Sequence, residues 1–198
     1  MEIPPLDLSF GQLAWALNRG APPPQTLIDQ LTYLRQLGIP FSGKERRRGR
    51  GHRLHYRYEH LIECGVALYA LRQHVKPADV KKVLVHHRAA MREQYRAALA
   101  EVPLAALGAP WVKSRGAERP LMPPGRWIRV HDRFADKPGT FELVGPGELE
   151  ALKEFGLFSM IERYPGERVR GLVPLTELAL EWTAWALVAP ETKPGPKA

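Results

Sequence analysis

Cysteine is almost absent from this 198-residue chain, in which Cys64 stands alone. A single thiol excludes an internal disulfide, a metal site built from several thiolates of one chain, and a cysteine-held iron–sulfur cluster. Long apolar runs are missing too, and a stretch such as Val66–Leu71 is far too short to cross a bilayer. The start, Met-Glu-Ile-Pro-Pro-Leu-Asp, lacks the basic and apolar parts of a secretory signal. We therefore expect a soluble, cytoplasmic protein with no membrane partner.

Catalytic patterns are also lacking. His131 and Asp132 adjoin, but nothing near them supplies further ligands at metal-binding spacings. Gly49 and Gly51 are not followed by the Lys-Ser/Thr pair that a phosphate-binding loop requires. No serine has the flanking motif of an activated nucleophile. The sequence thus predicts a protein that is not an enzyme and that uses no cofactor or metal.

Positive charge is concentrated in residues 43–57, which we call the basic segment. Its one acid is Glu45 and its seven basic residues give it a net charge of +6, out of +8 for the whole chain. These residues are Lys44, Arg46, Arg47, Arg48, Arg50, Arg53 and Arg57. A local patch of positive charge indicates a phosphate-rich partner. Taken alone, however, it is equally typical of a solvated loop that binds nothing. Glycines that permit tight turns, and a short strand at Arg53–Tyr56, predict a basic hairpin.

Apolar periodicity predicts helices at about 8–17, 25–37, 58–73 and 77–101. The second has an apolar stripe of leucines, and its polar face suits base edges in a major groove or plain water. The fourth is predicted as one long helix with a near-heptad seam that forms a homodimer. The seam consists of Val80, Leu84, Met91, Tyr95 and Ala98.

The C-terminal part is predicted to form a separate unit. Proline, glycine and alanine dominate residues 103–124, which is typical of a linker. Alternating strands and a helix after Pro174 then predict a small α+β domain over 125–188, with a regulatory or assembly role. We expect part of the helix stripe Leu175, Leu178, Trp182 and Trp185 to face a partner, either a second subunit or a small apolar effector.

Three stretches together resemble the winged helix-turn-helix domain of the MerR family of bacterial transcription regulators. Thr26–Ile39 is similar to the family's recognition helix and its exit. Arg48–Leu61 is similar to its wing and the start of the next helix, and Ile62–Val83 to the helix pair that follows. The resemblance covers residues 8 to about 102.

The resemblance implies a mainly α fold with a small β component. For the N-terminal part it implies a winged helix-turn-helix domain over 1–75 and a long dimerisation helix over 76–102, whereas composition and strand patterns predict a linker over 103–124, a small α+β domain over 125–188 and a disordered tail over 189–198. The resemblance also implies a nucleoid-associated regulator that binds an inverted repeat in double-stranded DNA as a homodimer. An architectural DNA-binding protein, such as an excisionase or a nucleoprotein-assembly factor, is the alternative. The predicted DNA-binding residues are Gln25, Thr26, Gln30, Tyr33, Lys44, Arg46, Arg47, Arg48, Arg50, His52, Arg53 and Tyr56.

Overall fold

The structure, a computed structural model, describes residues 5–41, 43–46, 54–102, 104–107, 125–131, 141–144 and 169–191. Its helices are α1 (Phe10–Leu17), α2 (Gln25–Leu37), α3 (Gly43–Arg46), α4 (Tyr58–Arg72), α5 (Pro77–His86), α6 (Arg88–Ala100), α7 (Leu104–Leu107) and α8 (Leu175–Leu187). Its strands are β1 (Trp127–His131), β2 (Phe141–Val144) and β3 (Val169–Pro174). The chain is therefore mainly helical with a small sheet, as predicted. None of the described helices combines the length and the apolar character that crossing a membrane requires.

Local sequence explains where the first two helices begin and end. The Ser9 hydroxyl accepts the backbone N–H of Gln12 at 3.3 Å, while the Gln12 side chain accepts the N–H of Ser9 at 2.9 Å. This reciprocal pair satisfies two backbone donors at the start of α1. α2 ends at Leu37 and is capped by Gly38, whose φ of 95° lies in the left-handed region that favours glycine. The backbone N–H of Ile39 then donates to the carbonyl of Leu34 at 3.0 Å, which turns the chain back into the core.

The turn between α1 and α2 is held by its own side chains. Residues 18–24 form a seven-residue connection, longer than the three or four residues of an ordinary helix-turn-helix. The Asn18 amide donates to the carbonyls of Ala21 at 3.1 Å and Pro22 at 2.8 Å. Arg19 and Gly20 both have positive φ, 54° and 73°. The connection is thus a fixed bend that sets where α2 starts.

The predicted long fourth helix is wrong, because the chain breaks at His87. α5 ends at His86 and α6 begins at Arg88, and His87 between them has φ −104° and ψ 17°. The predicted dimerisation residues are also misassigned, since each is no more than 5 % exposed within a single chain. They are Val80, Leu84, Met91, Tyr95 and Ala98. Their side chains fill the core of the chain itself, so they cannot form a seam between two chains.

The last helix belongs to the same hydrophobic core as the first half of the chain. α8 packs against α1, α4, α6 and α7. The Trp182 ring lies on the backbone of α4 at Gly65, and the Trp185 ring meets Trp15 edge-on at 5.5 Å between centroids. The predicted division at residue 125 therefore does not separate two cores. Leu175, Leu178 and Trp182 of the predicted partner-facing stripe are buried and Trp185 is half-buried, so that part of this stripe faces a partner stays a prediction.

The small sheet is tied to α8. Its order is β2-β1-β3, all antiparallel, with Ile128 of β1 opposite Leu143 and Val173. β3 leads directly into α8, and the hydroxyl of Thr176 accepts the backbone N–H of Arg126 at 2.8 Å. The helical turn α7 falls within the predicted linker 103–124, and its Leu107 is buried. The rest of that linker up to residue 124, and residues 192–198 of the predicted tail, lie outside the described residues.

Candidate nucleic-acid interface

α2 presents a polar face to solvent. Its buried side carries Leu27, Leu31 and Leu34, and its opposite side is exposed. All four residues predicted to read bases from this helix are exposed: Gln25, Thr26, Gln30 and Tyr33. Tyr33 is 42 % exposed, an unusual position for a large aromatic ring. The amide of Gln25 donates to Oδ1 of Asp29 at 2.8 Å, so this pair covers the first turn of the face.

Two arginines of α6 hold the exit of α2 in place. The Arg88 guanidinium donates to the carbonyl of Gly38 at 2.6 Å, and that of Arg92 donates to the carbonyl of Pro40 at 3.1 Å. Both also pair with Glu63 of α4, at 2.8 Å for Arg88 and 3.5 Å for Arg92. This cluster of one carboxylate and two guanidinium groups, the Glu63 cluster, joins α4 and α6 to the end of α2.

The Glu63 cluster is almost closed to water. The Glu63 side chain is 1 % exposed, and those of Arg88 and Arg92 are 12 % and 21 % exposed. Burial raises the pKa of the Glu63 carboxyl, while the two guanidinium groups oppose that shift. A buried carboxylate of this kind is tolerated only when charged donors surround it. The cluster therefore fixes the relative position of the three elements that it joins.

The basic segment begins on a helical turn and not on a hairpin strand. Residues Gly43–Arg46 form α3, which corrects the predicted hairpin at this end. The Glu45 carboxylate lies 3.8 Å from the guanidinium of Arg92 and 3.6 Å from Nε2 of His60. Nδ1 of His60 accepts the backbone N–H of Arg57 at 3.2 Å, which stabilises the start of α4. Burial is the main cause that lowers the pKa of His60 below its ordinary value.

The other end of the described part of the segment is anchored by Tyr56. Its backbone forms an antiparallel bridge with Leu8, with N–O distances of 2.8 and 2.9 Å. Its ring is 1 % exposed and lies 5.0 Å from the ring of Phe41 and 6.2 Å from that of Phe10. Burial raises the pKa of Tyr56 to about 12. The prediction that Tyr56 contacts DNA is therefore wrong, since its side chain belongs to the core.

The remaining predicted wing residues divide into two groups. Lys44 and Arg46 lie on the backbone of α3. Arg47, Arg48, Arg50, His52 and Arg53 lie outside the described residues. These undescribed residues are flanked by described ones on both sides. Before them, Glu45 holds α3 in place, and after them, Tyr56 holds the chain from residue 54 onward. The described residues on both sides of the most basic stretch in the sequence are thus anchored, and those on its N-terminal side lie beside Arg92, which also holds the exit of α2.

The sequence interpretation missed the Glu63 cluster. One signal for it exists, because Glu63 interrupts the wide apolar arc of α4. A second is the spacing of Arg88 and Arg92, which puts both on one face of α6. An exposed pair was missed as well: Nδ1 of His55 lies 2.6 Å from a carboxylate oxygen of Asp7.

Sulfur and metal chemistry find no support in the described part of the chain. Cys64 is fully buried, and burial raises the pKa of its thiol well above the ordinary value. Among the described residues, no group of three or more His, Cys, Asp or Glu side chains is placed to hold a metal ion.

Comparisons with known proteins found nothing: no family model, no curated protein and no solved structure matches the chain. The likeness to the MerR family therefore stands on the sequence pattern alone.

Proposed function

We propose that this protein binds double-stranded DNA, with α2 in the major groove and the basic segment on the phosphate backbone. The observation that supports this most is the joint attachment of both surfaces. The Glu63 cluster holds the exit of α2, and Arg92 of that cluster also lies beside Glu45 at the start of the basic segment. A polar helix face and a segment of charge +6 are thus supported by the same few side chains.

The dimensions and chemistry of α2 suit this role. Thirteen residues span about 20 Å, and the major groove of B-DNA, about 12 Å wide, admits an α-helix. Amide side chains such as that of Gln30 bond to adenine edges, and hydroxyls such as those of Thr26 and Tyr33 bond to bases or phosphates. The arginines of the basic segment neutralise phosphates, which supplies affinity without sequence preference.

Replacement of Arg47 and Arg48 by Ala tests the role of the basic segment. The double variant should bind all DNA sequences more weakly. The slope of log affinity against log salt should fall by about 0.9 for each phosphate that the variant no longer neutralises. Replacing Lys81 and Lys82, which are exposed on α5, removes the same charge and serves as the matched control. An unchanged slope, or an equally large drop in the control, would contradict this role.

Replacement of Gln30 by Ala tests the role of α2. A good bidentate contact to a base discriminates by about 1–3 kcal/mol, so this variant should relax the preference at one position of a bound site. Its affinity for random DNA should stay unchanged, as measured by fluorescence anisotropy on both kinds of duplex. Equal losses on both would mean that α2 only positions the protein.

Whether the protein is a regulator or an architectural binder depends on how it recognises its site. A dimeric MerR-like regulator should select a palindromic consensus from a random DNA library. Its dimer would need another surface, because the predicted seam lies in the core. An architectural binder in the nucleoid should select no consensus. The packing of α8 into the same core as α1 favours this second candidate, since it leaves α8 outside any independent effector unit.

A further inference from the structure

A cleft of about 250 Å³ opens where the end of α1, the second half of α4 and the middle of α8 meet. Its floor is apolar and includes Leu68, Leu178 and Trp182. Its rim is polar and includes Arg19, Tyr69 and Arg72. The cleft lies apart from the predicted DNA-binding residues, none of which lines it.

Glycine on α4 gives the cleft its flat floor. A Cβ atom at Gly65 would lie 2.3 Å from the nearest ring atom of Trp182, so only glycine lets the indole lie directly on the helix backbone. The indole is 5 % exposed and still lines the cleft, so it offers the edge of an aromatic surface to a ligand. An aromatic group binds well on such a surface, because offset or edge contacts between rings are favourable.

The rim carries more positive than negative charge. Arg19 pairs with Glu181 at 3.0 Å, and the side chain of Arg19 is 65 % exposed. Arg72 is exposed and forms no ion pair with any residue in the described part of the chain. One guanidinium group at the rim is therefore free to bind an anion. Its planar fork of donors matches a carboxylate in geometry as well as in charge.

We propose that this cleft binds a small aromatic monocarboxylate, with the carboxylate on Arg72 and the ring against Trp182. The volume is slightly below the usual range for drug-sized ligands, which limits the ligand to roughly ten non-hydrogen atoms. Tyr69, which is half-buried, also lines the cleft.

The ligand would also touch the bend that sets the start of α2. Asn18 and Arg19 line the cleft and belong to the connection between α1 and α2. The Arg19–Glu181 pair at 3.0 Å joins this bend to α8, so a ligand seated beside it on Arg72 and Trp182 would alter the support of the bend. This second step rests on the proposed function, and DNA affinity measured with and without the ligand is its separate readout.

The test uses the full chain and three probes: benzoate, phenylacetate and 3-phenylpropionate, each beside its neutral amide. Isothermal titration should show saturable binding of at least one acid, with a Kd of about 1 mM or lower. The corresponding amide should bind about tenfold more weakly, because it lacks the charge-assisted hydrogen bonds. Arg72→Gln should weaken the acid by a similar factor, whereas Lys81→Gln, which removes an exposed charge on α5, should leave its Kd unchanged.

Several results would overturn the proposal. It fails if no acid saturates in the millimolar range, if the amides bind as tightly as the acids, or if Arg72→Gln binds like the wild type while retaining its circular dichroism spectrum. An equally large weakening in Lys81→Gln would also overturn it, because the attraction would then come from total charge. None of these results depends on DNA, so failure of the proposed function leaves this test intact.

Discussion

The Gly65→Ala variant distinguishes a protein in which α4 and α8 share one hydrophobic core from one in which they belong to two independent cores. In an isolated helix this change is favourable, because alanine loses less backbone entropy than glycine by about 1 kcal/mol. In this structure the added methyl group would lie 2.3, 2.4 and 2.7 Å from three ring atoms of Trp182. These are far below van der Waals contact, and the ring is rigid and 5 % exposed.

The expected net effect follows from these two contributions. Overpacking a filled core costs about 1–3 kcal/mol, and three simultaneous close contacts put this site near the upper end. After subtracting the gain of about 1 kcal/mol in helix propensity, Gly65→Ala should lower the free energy of unfolding by about 1–2 kcal/mol. For a chain of this size each 1 kcal/mol lowers Tm by about 2–4 °C.

Urea denaturation of four proteins makes the test sharp: the wild type, Gly65→Ala, Trp182→Ala and the double variant. Once the indole is removed, the methyl group at position 65 has space, so Gly65→Ala should become stabilising in the Trp182→Ala background. This reversal of sign is the signature of direct contact. If Gly65→Ala stabilises the wild type by about 1 kcal/mol, α8 does not pack on α4 and the shared core is refuted.

The other predictions concern charge, pH and chain length. Glu63→Gln removes the buried carboxylate between the mostly covered Arg88 and Arg92 and should cost about 3–5 kcal/mol in urea denaturation, whereas Glu59→Gln, in a pair more open to solvent, should cost at most about 1 kcal/mol; equally small losses for both variants would mean that the Glu63 cluster does not stabilise the fold. Burial holds the pKa of His60 below its ordinary value of 6.5, so the unfolded chain takes up the proton first as pH falls. Stability should therefore decline from about pH 6.5 downward, and His60→Gln, which keeps a capping acceptor, should flatten this decline in denaturation curves. A chain ending at residue 102 lacks α8, so it should show no cooperative thermal unfolding; a sharp transition would contradict this.

The first half of the fold was readable from local patterns. The caps and bends of α1 and α2 rest on Ser9, Gln12 and Gly38, whose roles depend on neighbours within a few residues. The exposed polar face of α2 follows in the same way from the spacing of its leucines. Such features are predictable because their causes lie within a few residues in the sequence.

The errors arose where partners lie far apart in the sequence. The apolar rhythm through Val80 and Met91 indicates only that one side of each helix is buried. The chain's own α4, which packs on α5 and α6, and its α8, which packs on α6, bury those sides as well as a second chain would. Tyr56 looked like part of a basic hairpin, but its backbone pairs with Leu8 and its ring fills a gap beside Phe41. Neither the packing of these helices nor the contacts of Tyr56 can be recognised from the residues that lie nearby in the sequence.

Because α8 lies near the C-terminal end of the described residues, the shared core can form only late in synthesis. α1 and α8 touch, yet residues 18–174 lie between them, so the ribosome must synthesise the whole of this stretch and α8 itself before α1 gains its partner. Contacts of such long range form slowly, because the chain must first close a large loop. Until then the faces of α1 and α4 that receive Trp185 and Trp182 stay open, so nascent chains paused before residue 175 should be cleaved by protease, whereas released chains that contain the whole of α8 should resist it. If the proposed DNA-binding surface needs that core, the protein binds DNA only after translation has passed α8.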